Sequence, residues 1–247
     1  MLRAAKRLRN AGVLGLNERN AELIMRLNPR RFYPRVDDKV LTKKLATEAG
    51  MAVPELYGVI DHQGDVSKFA QIVDGRESFV IKPAQGSGGD GIIVIVSRSK
   101  RRRDSFRTAG GVIVTEAELE HHISNIVSGQ YSLSGGKDAA LIEYCVQFDP
   151  LFEQVSYQGV PDIRVIVYRG YPIMAMVRLP TRSSDGKANL HQGAVGAGVD
   201  ISTGMTLKGV LANEVVEEHP DTGAPIAGVR IPHWDFILQS SARALEV

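Results

Sequence analysis

A lysine followed by a glycine-rich loop is the strongest chemical signal in the sequence. Lys82 stands near the end of an apolar run in the segment FVIKPAQGSGGDG (79–91), and the loop after it contains Gly86, Ser87, Gly88, Gly89 and Gly91. Glycines let backbone N–H groups approach phosphate oxygens, and a nearby ammonium group supplies the opposite charge. The spacing fits neither a P-loop nor a dinucleotide-binding G-x-G-x-x-G motif. The segment therefore predicts another type of phosphate-binding loop, the alternative being a purely structural glycine hairpin.

Two arginines lie on a predicted β-hairpin further along the chain. Arg164 and Arg178 belong to the apolar runs 163–168 and 171–179, which alternate with period two around the turn dipeptide Arg169-Gly170. A guanidinium group binds a phosphate or carboxylate through two parallel hydrogen bonds. Asn189 could cap a phosphate or a substrate carboxylate, whereas the favoured interpretation of His191 is a loop histidine without a catalytic role. Arg164, Arg178 and Asn189 are therefore the candidate catalytic residues.

The register of this hairpin decides whether the arginines share a face. In an uninterrupted two-residue turn, Arg164 and Arg178 would point to opposite faces. One extra residue, a bulge at Gly170 or Tyr171, would instead pair Asp162 with Arg178 and Arg164 with Met176. Because a phosphoryl site would use both guanidinium groups, we predict the bulged register.

The elements around these residues indicate an α+β fold. Helices are predicted at 17–25, with Asn17 as the cap, at 116–127, at 232–246, and from Asp37-Asp38 to Gly50. Strands are predicted at 78–82, 92–96, 112–114 and 139–146, and the stretch 181–209 is predicted to be rich in loops. Lys100–Arg103 reads as a solvated loop or hairpin tip. Since the predicted strands follow one another along the chain rather than alternating with helices, mixed or antiparallel sheets are expected.

Composition narrows the function classes. The 247 residues are 43% hydrophobic and 23% charged, and their formal net charge of +2 predicts no strong attraction to nucleic acid or membrane. The single cysteine, Cys145, excludes an intrachain disulfide and favours a reducing compartment, so the cytoplasm is expected. The first residues form a basic, amphipathic pattern without the apolar region of a signal peptide. That segment predicts a surface helix, the alternative being a contact with a partner or an anionic surface.

The lysine and glycine loop resemble the small subdomain of the ATP-grasp superfamily. Asp38-Lys39 resembles the superfamily's earlier lysine at a helix start, with Lys43 and Lys44 as weaker candidates. The segment LIEYCV (141–146) resembles the hinge strand that reads adenine, a role that would fall to Glu143 and to the backbone of Tyr144, Cys145 and Val146. The resemblance also implies a ribose-binding acid, which could be Asp149 or Glu153.

Three later segments are similar to the α-L-glutamate ligases that modify ribosomal protein S6. They are DIRVIV (162–167), AMVR (175–178) and NLHQG (189–193). The N-terminal segment GLNERNAELIMRLNPRRFYP (15–34) resembles the corresponding segment of an ATP-grasp branch associated with sugar transfer. This resemblance implies an ATP-dependent carboxylate–amine ligase that acts through an acyl phosphate on amino-acid or peptide-like substrates, with ATP and Mg²⁺ as cofactors. A homo-oligomer is also compatible with this resemblance. The alternatives are a non-catalytic nucleotide-binding or regulatory module and, less favoured, a phosphotransferase.

The resemblance also predicts how the chain is divided. An N-terminal helical segment with the start of the fold would occupy 1–75, the small subdomain 76–143 and the large lobe 144–247, with the nucleotide between two α+β lobes. The family takes its magnesium ligands from an acid on one C-terminal strand and a Glu-x-Asn pair on the next. Nothing after Trp234 reads that way. We therefore expect a truncated form that lacks these strands, and assign no metal ligand.

Overall fold

The computed structural model describes residues 2–99, 104–132 and 135–246. The chain divides into two compact units, Met1–Leu45 and Ala46–Val247. The predicted loop Lys100–Arg103 lies outside the described residues. Among those that are described, no helix combines the length and the apolar character that crossing a membrane requires.

The first unit is helical. It contains α1 (Leu2–Asn10), α2 (Leu16–Glu18), which continues as a π-helical segment (Arg19–Met25), a 3₁₀ turn (Arg30–Phe32), α3 (Pro34–Asp37) and the start of α4 (Lys39–Glu48). The predicted cap at Asn17 is wrong, because the helix begins at Leu16 and Gly15 occupies the cap position. The prediction for Asp38 is confirmed: its Oδ1 accepts hydrogen bonds from the N–H groups of Val40 (2.8 Å) and Leu41 (3.2 Å).

The second unit begins with a six-stranded antiparallel sheet. Its strands are β1 (Leu56–Ile60), β2 (Phe79–Pro83), β3 (Ile93–Arg98), β4 (Ser105–Thr108), β5 (Ile113–Thr115) and β6 (Ala140–Glu143), in the order β1-β6-β2-β3-β4-β5. The sequence did not reveal β1 or β4, and β6 ends three residues earlier than predicted. Helices α5 (Phe69–Ile72) and α6 (Glu116–Val127) complete this part, with a 3₁₀ helix at Gln63–Lys68. Phe69, Phe79 and Phe106 stack edge to face in its core.

A five-stranded antiparallel sheet follows. Its strands are β7 (Asp162–Tyr168), β8 (Tyr171–Leu179), β9 (Val195–Val199), β10 (Thr206–Leu211) and β11 (Glu214–Val216), in the order β11-β10-β9-β8-β7. Short 3₁₀ helices lie at Pro150–Val155, Leu190–Gln192 and Ala244–Glu246, and α7 spans Trp234–Arg243. One face of the sheet packs its valines and alanines with Trp234. The stretch 181–209 is mostly loop, as predicted, although it also contains the Leu190–Gln192 turn, β9 and the start of β10.

The two sheets confirm the α+β class with antiparallel pairing. The predicted lobe boundaries at residues 75 and 143 stay predictions.

Candidate functional site

Lys82 and Glu143 form an ion pair at the ends of two central strands. In the β2–β6 ladder Val80 lies opposite Glu143, so Lys82, two residues further along β2, shares the same face. Its Nζ donates a hydrogen bond to Oε1 of Glu143. The Lys82 side chain keeps 21% of its surface exposed, whereas Glu143 keeps 5%. The sheet thus holds an ammonium group at a fixed place with one side open to solvent.

The glycine loop after β2 turns sharply at its tip. The N–H of Asp90 donates to the carbonyl of Ser87 (3.1 Å), and the two residues between them have positive φ, +66° at Gly88 and +87° at Gly89. Glycine adopts such conformations at the lowest steric cost, so two glycines in succession suit this turn. Within the described residues, the N–H groups of Ser87, Gly88 and Gly89 have no hydrogen-bond acceptor. Successive free N–H groups of this kind suit a phosphate oxygen.

Asp138 anchors the start of this loop. Its buried carboxylate accepts hydrogen bonds from the N–H of Gln85 (3.0 Å to Oδ1 and 3.1 Å to Oδ2) and from the N–H of Ala139 (2.7 Å). Sequence analysis missed this residue, because an acid beside an apolar strand is an ordinary pattern. Asp138 matters because it binds the backbone N–H of Gln85, which lies more than fifty positions away in the chain.

His122 and Tyr131 hold the other end of the loop. Nε2 of His122 donates to the carbonyl of Gly91 (2.8 Å), and the ring of Tyr131 lies against the Gly91 backbone. A Cβ at position 91 would stand 2.7 Å from Cγ of Tyr131, and the φ of +75° also favours glycine. Both ends of the loop are therefore fixed, while Ser87, Gly88 and Asp90 at its tip are exposed.

The predicted adenine hinge is partly occupied by internal hydrogen bonds. The N–H of Tyr144 donates to the carbonyl of Glu55 (2.9 Å), and the carbonyl of Cys145 accepts from Nε2 of Gln147 (3.2 Å). Val146 and the Tyr144 side chain are exposed. Adenine recognition by this backbone stays a prediction, and it would have to use the atoms that these bonds leave available.

The two candidate ribose acids have different surroundings. Oδ1 of Asp149 accepts from the N–H of Leu151 (2.9 Å) and so caps the 3₁₀ helix Pro150–Val155. Glu153 lies exposed on that helix, where Phe152 and Val155 are buried beneath it. The cap gives Asp149 a structural role, so Glu153 is the better candidate.

The hairpin has the bulged register that the sequence predicted. Asp162 pairs with Arg178 and Arg164 pairs with Met176. The bulge itself is elsewhere: Tyr168 pairs with Tyr171 and Val167 with Pro172, so the extra residue is Ile173 rather than Gly170 or Tyr171. The turn dipeptide adopts positive φ at both positions, +49° and +87°, as a two-residue hairpin turn requires.

This register gathers three charged side chains on the outer face of the second sheet. Arg178 and Asp162 form an ion pair, and burial lowers the pKa of Arg178. Nε of Arg178 is buried and has no hydrogen-bond partner in the described part of the chain. Arg164 is exposed beside this pair and makes no ion pair with a described residue. The face therefore carries one uncompensated positive charge and one unsatisfied donor, both suited to an anion.

A comparison of the sequence with protein-family models shows to which family the chain belongs. The model of the sugar-transfer associated ATP-grasp family matches residues 18–247. The chain belongs to this family. No curated protein gives a significant match. Solved structures similar to this ATP-grasp chain include D-cycloserine synthetase DcsG (14% identity, TM-score 0.36, covering 88% of this chain and 71% of that one). Another is D-alanine–D-alanine ligase from Helicobacter pylori (12%, 0.30, 86% and 61%).

The remaining candidate site residues are the lysines of α4 and Asn189, which precedes the Leu190–Gln192 turn. Lys39 is the first residue of α4 and half-buried, Lys43 is buried and Lys44 is exposed. Asn189 uses its Oδ1 to cap the Leu190–Gln192 turn by accepting from the N–H of His191 (3.1 Å). Asn189 thus shapes the loop that presents the exposed His191. A direct contact of Asn189 with substrate stays a prediction.

Potential metal ligands gather in one place among the described residues. The one group of three potential ligands there is Asp61, His62 and Asp65. Oδ1 of Asp61 already contacts Nδ1 of His62 (2.7 Å), and Oδ1 of Asp65 contacts Nζ of Lys68 (2.7 Å). No magnesium ligand is assigned in this ATP-grasp chain.

Cys145 is expected to react slowly with alkylating reagents. Its thiol is buried, and burial raises its pKa, so little of the reactive thiolate is present at neutral pH. Iodoacetamide labelling at pH 7.5, followed by mass spectrometry, should proceed at least tenfold more slowly in the native protein than in urea. Equal rates would contradict a packed role for this thiol.

Proposed function

We propose that the chain binds ATP and supports ATP-dependent ligation of a carboxylate to an amine, in the manner of α-L-glutamate ligases. Membership of an ATP-grasp family supports ATP-dependent, ligase-like chemistry. The observation that carries the proposal is the Lys82–Glu143 pair, which stands at the start of a glycine turn with successive unoccupied N–H groups.

Each part of this arrangement has a separate task in nucleotide binding. Lys82 supplies positive charge to the phosphates, and Glu143 holds its ammonium group at the strand end. The N–H groups of Ser87, Gly88 and Gly89 approach phosphate oxygens from the turn. Asp138, His122 and Tyr131 fix the two ends of the loop, so that binding orders only its tip. In this proposal Glu153 binds the ribose.

The arginines act on the reacting groups. A carboxylate oxygen of the substrate attacks the γ-phosphorus of ATP, ADP leaves, and an acyl phosphate forms. The amine then attacks the acyl carbon, phosphate leaves and the amine gives up a proton. Arg164 and Arg178 orient the phosphoryl group and stabilise the charge that develops on its oxygens. Asp162 holds the Arg178 guanidinium group in position through their ion pair.

Product analysis tests this reaction type. The protein is incubated with ATP, Mg²⁺ and mixtures of carboxylic acids, with and without amines, and phosphate release and products are measured. We expect ADP and phosphate to accumulate at least tenfold faster when an amine is present, with an amide as the product. A stable phosphorylated product without an amine would replace the proposal by a phosphotransferase. Nucleotide binding with neither product would replace it by a regulatory module.

A further inference from the structure

A groove of about 700 Å³ crosses the outer face of the second sheet. Its floor and walls are mainly apolar, and several large side chains there are exposed: Ile166 (41%), Met174 (56%), Leu190 (40%) and Val210 (45%). Single exposed apolar residues are ordinary, but a contiguous group on one sheet face marks a binding surface. The groove also lies on the face that carries Arg164.

Two glycines of β9 keep the floor of the groove open. Gly196 and Gly198 alternate with Val195, Ala197 and Val199, which point to the opposite face and into the core. Gly198 lies opposite Met176 in the ladder. Its φ is not in the left-handed region, and a Cβ there would meet its nearest neighbour, Cδ1 of Leu207, at an ordinary 3.6 Å. Neither backbone conformation nor packing requires glycine at 198, so the consequence of this glycine is empty space above the strand.

The charge at the edge of the groove is positive. Arg164 is exposed there without an ion-pair partner among the described residues, and Met176 lies directly across the ladder from it. A carboxylate would bind the guanidinium group, and an attached apolar body would lie over Ile166, Met174 and Met176. Apart from Arg164, the groove lining has one further ionisable side chain, the exposed His191. A second charge placed over Ile166, Met174 and Met176 would lose its hydration, which is costly.

We propose that this groove binds a carboxylate substrate with an apolar body, and that Gly198 sets the size of the body it accepts. This inference rests on the proposed carboxylate–amine ligase function and specifies its carboxylate substrate, because it favours an aliphatic or aromatic monocarboxylic acid over a dicarboxylate. Arg164 takes the carboxylate, and the flexible thioethers of Met174 and Met176 adapt to the body.

Binding of simple acids tests the proposal directly. Butanoate, octanoate and glutarate are titrated into the protein by calorimetry. Octanoate should bind with a Kd at least tenfold lower than butanoate, about 1.4 kcal/mol, because burial of about two further methylenes contributes this much. Glutarate should bind no more tightly than butanoate. Equal Kd values for octanoate and butanoate would overturn the inference.

Variants locate the binding. Gly198→Leu should raise the octanoate Kd at least tenfold, and Arg164→Gln should raise it by a similar factor. Lys208→Gln, an exposed position on the neighbouring strand, is the matched control and should leave it unchanged. If Gly198→Leu fails to fold, methyl NMR of the wild type decides: octanoate should shift the Met174 and Met176 signals, and unshifted signals would overturn the proposal.

Two further measurements show which assignment has failed if the binding results differ from those expected. Lys82→Ala should leave octanoate binding unchanged, so a failure of the nucleotide assignment and a failure of the groove assignment are distinguishable. Sedimentation should show that octanoate binds without changing the oligomeric state. A dimer that dissociates as octanoate binds would assign the groove to a second copy of the chain instead.

Discussion

Replacing Lys82 with alanine is expected to weaken ATP binding by about 1.5–3 kcal/mol, the range for a hydrogen bond to a charged group. This corresponds to roughly a ten- to hundredfold rise in Kd. The reason is geometric: Lys82 is held at the end of a central strand and precedes the glycine turn, so no neighbouring side chain on β2 replaces its charge. Isothermal calorimetry with ATP measures the effect.

The control for Lys82→Ala must separate phosphate binding from loss of the ion pair. Removing the lysine also takes a cation from the buried Glu143, which destabilises the local fold. The double variant Lys82→Met/Glu143→Gln removes both charges and should still bind ATP weakly. The exposed Lys208→Ala should bind like the wild type. If Lys82→Ala and the wild type bind ATP with the same Kd, this lysine does not contact the phosphates.

Replacing Asp138 with alanine is expected to lower the free energy of unfolding by about 2–4 kcal/mol. The carboxylate is buried and accepts from two backbone N–H groups, which would lose their acceptor in a site closed to water. Urea denaturation measures the loss. Hydrogen exchange should show the protection of the Gln85 and Ala139 amides falling more than that of the β3 amides.

Asp149→Ala is the matched control for this second variant. That carboxylate also accepts from a backbone N–H, but it is exposed and caps a short helix, so its loss should cost about 1 kcal/mol or less. A cost for Asp138→Ala no greater than that for Asp149→Ala would show that Asp138 does not hold the loop.

Local sequence signals predicted the parts of the site that depend on neighbours in the chain. The period-two pattern around Arg169-Gly170 was enough to place the hairpin, and the requirement that both arginines share a face selected the register that pairs Asp162 with Arg178. The position of the bulge was wrong, because the choice among adjacent residues depends on packing that the pattern does not contain. β9 was read as loop because glycines lower strand propensity, although Val195, Ala197 and Val199 keep the alternation of a half-buried strand.

Long-range contacts were not predictable from one sequence. The role of Asp138 arises only when β6 lies beside β2 and brings its carboxylate to Gln85. The anchoring of Gly91 by His122 and Tyr131 likewise joins a loop to a helix and to the segment after it. The groove is a further case, since it is formed by strands and turns between Arg164 and Asn213 that no single motif connects.

The extra residue at Ile173 allows the hairpin to lose one residue without changing its register. If Ile173 were deleted, Val167 would still pair with Pro172 and Ile166 with Met174, so Asp162 would still pair with Arg178. If the bulge were lost without a deletion, every residue of β8 after Pro172 would change faces. Arg178 would then enter the hydrophobic interior, and Val177 would take its place. Related chains that keep both arginines should therefore either have an extra residue at this place or be one residue shorter between the equivalents of Ile166 and Met174.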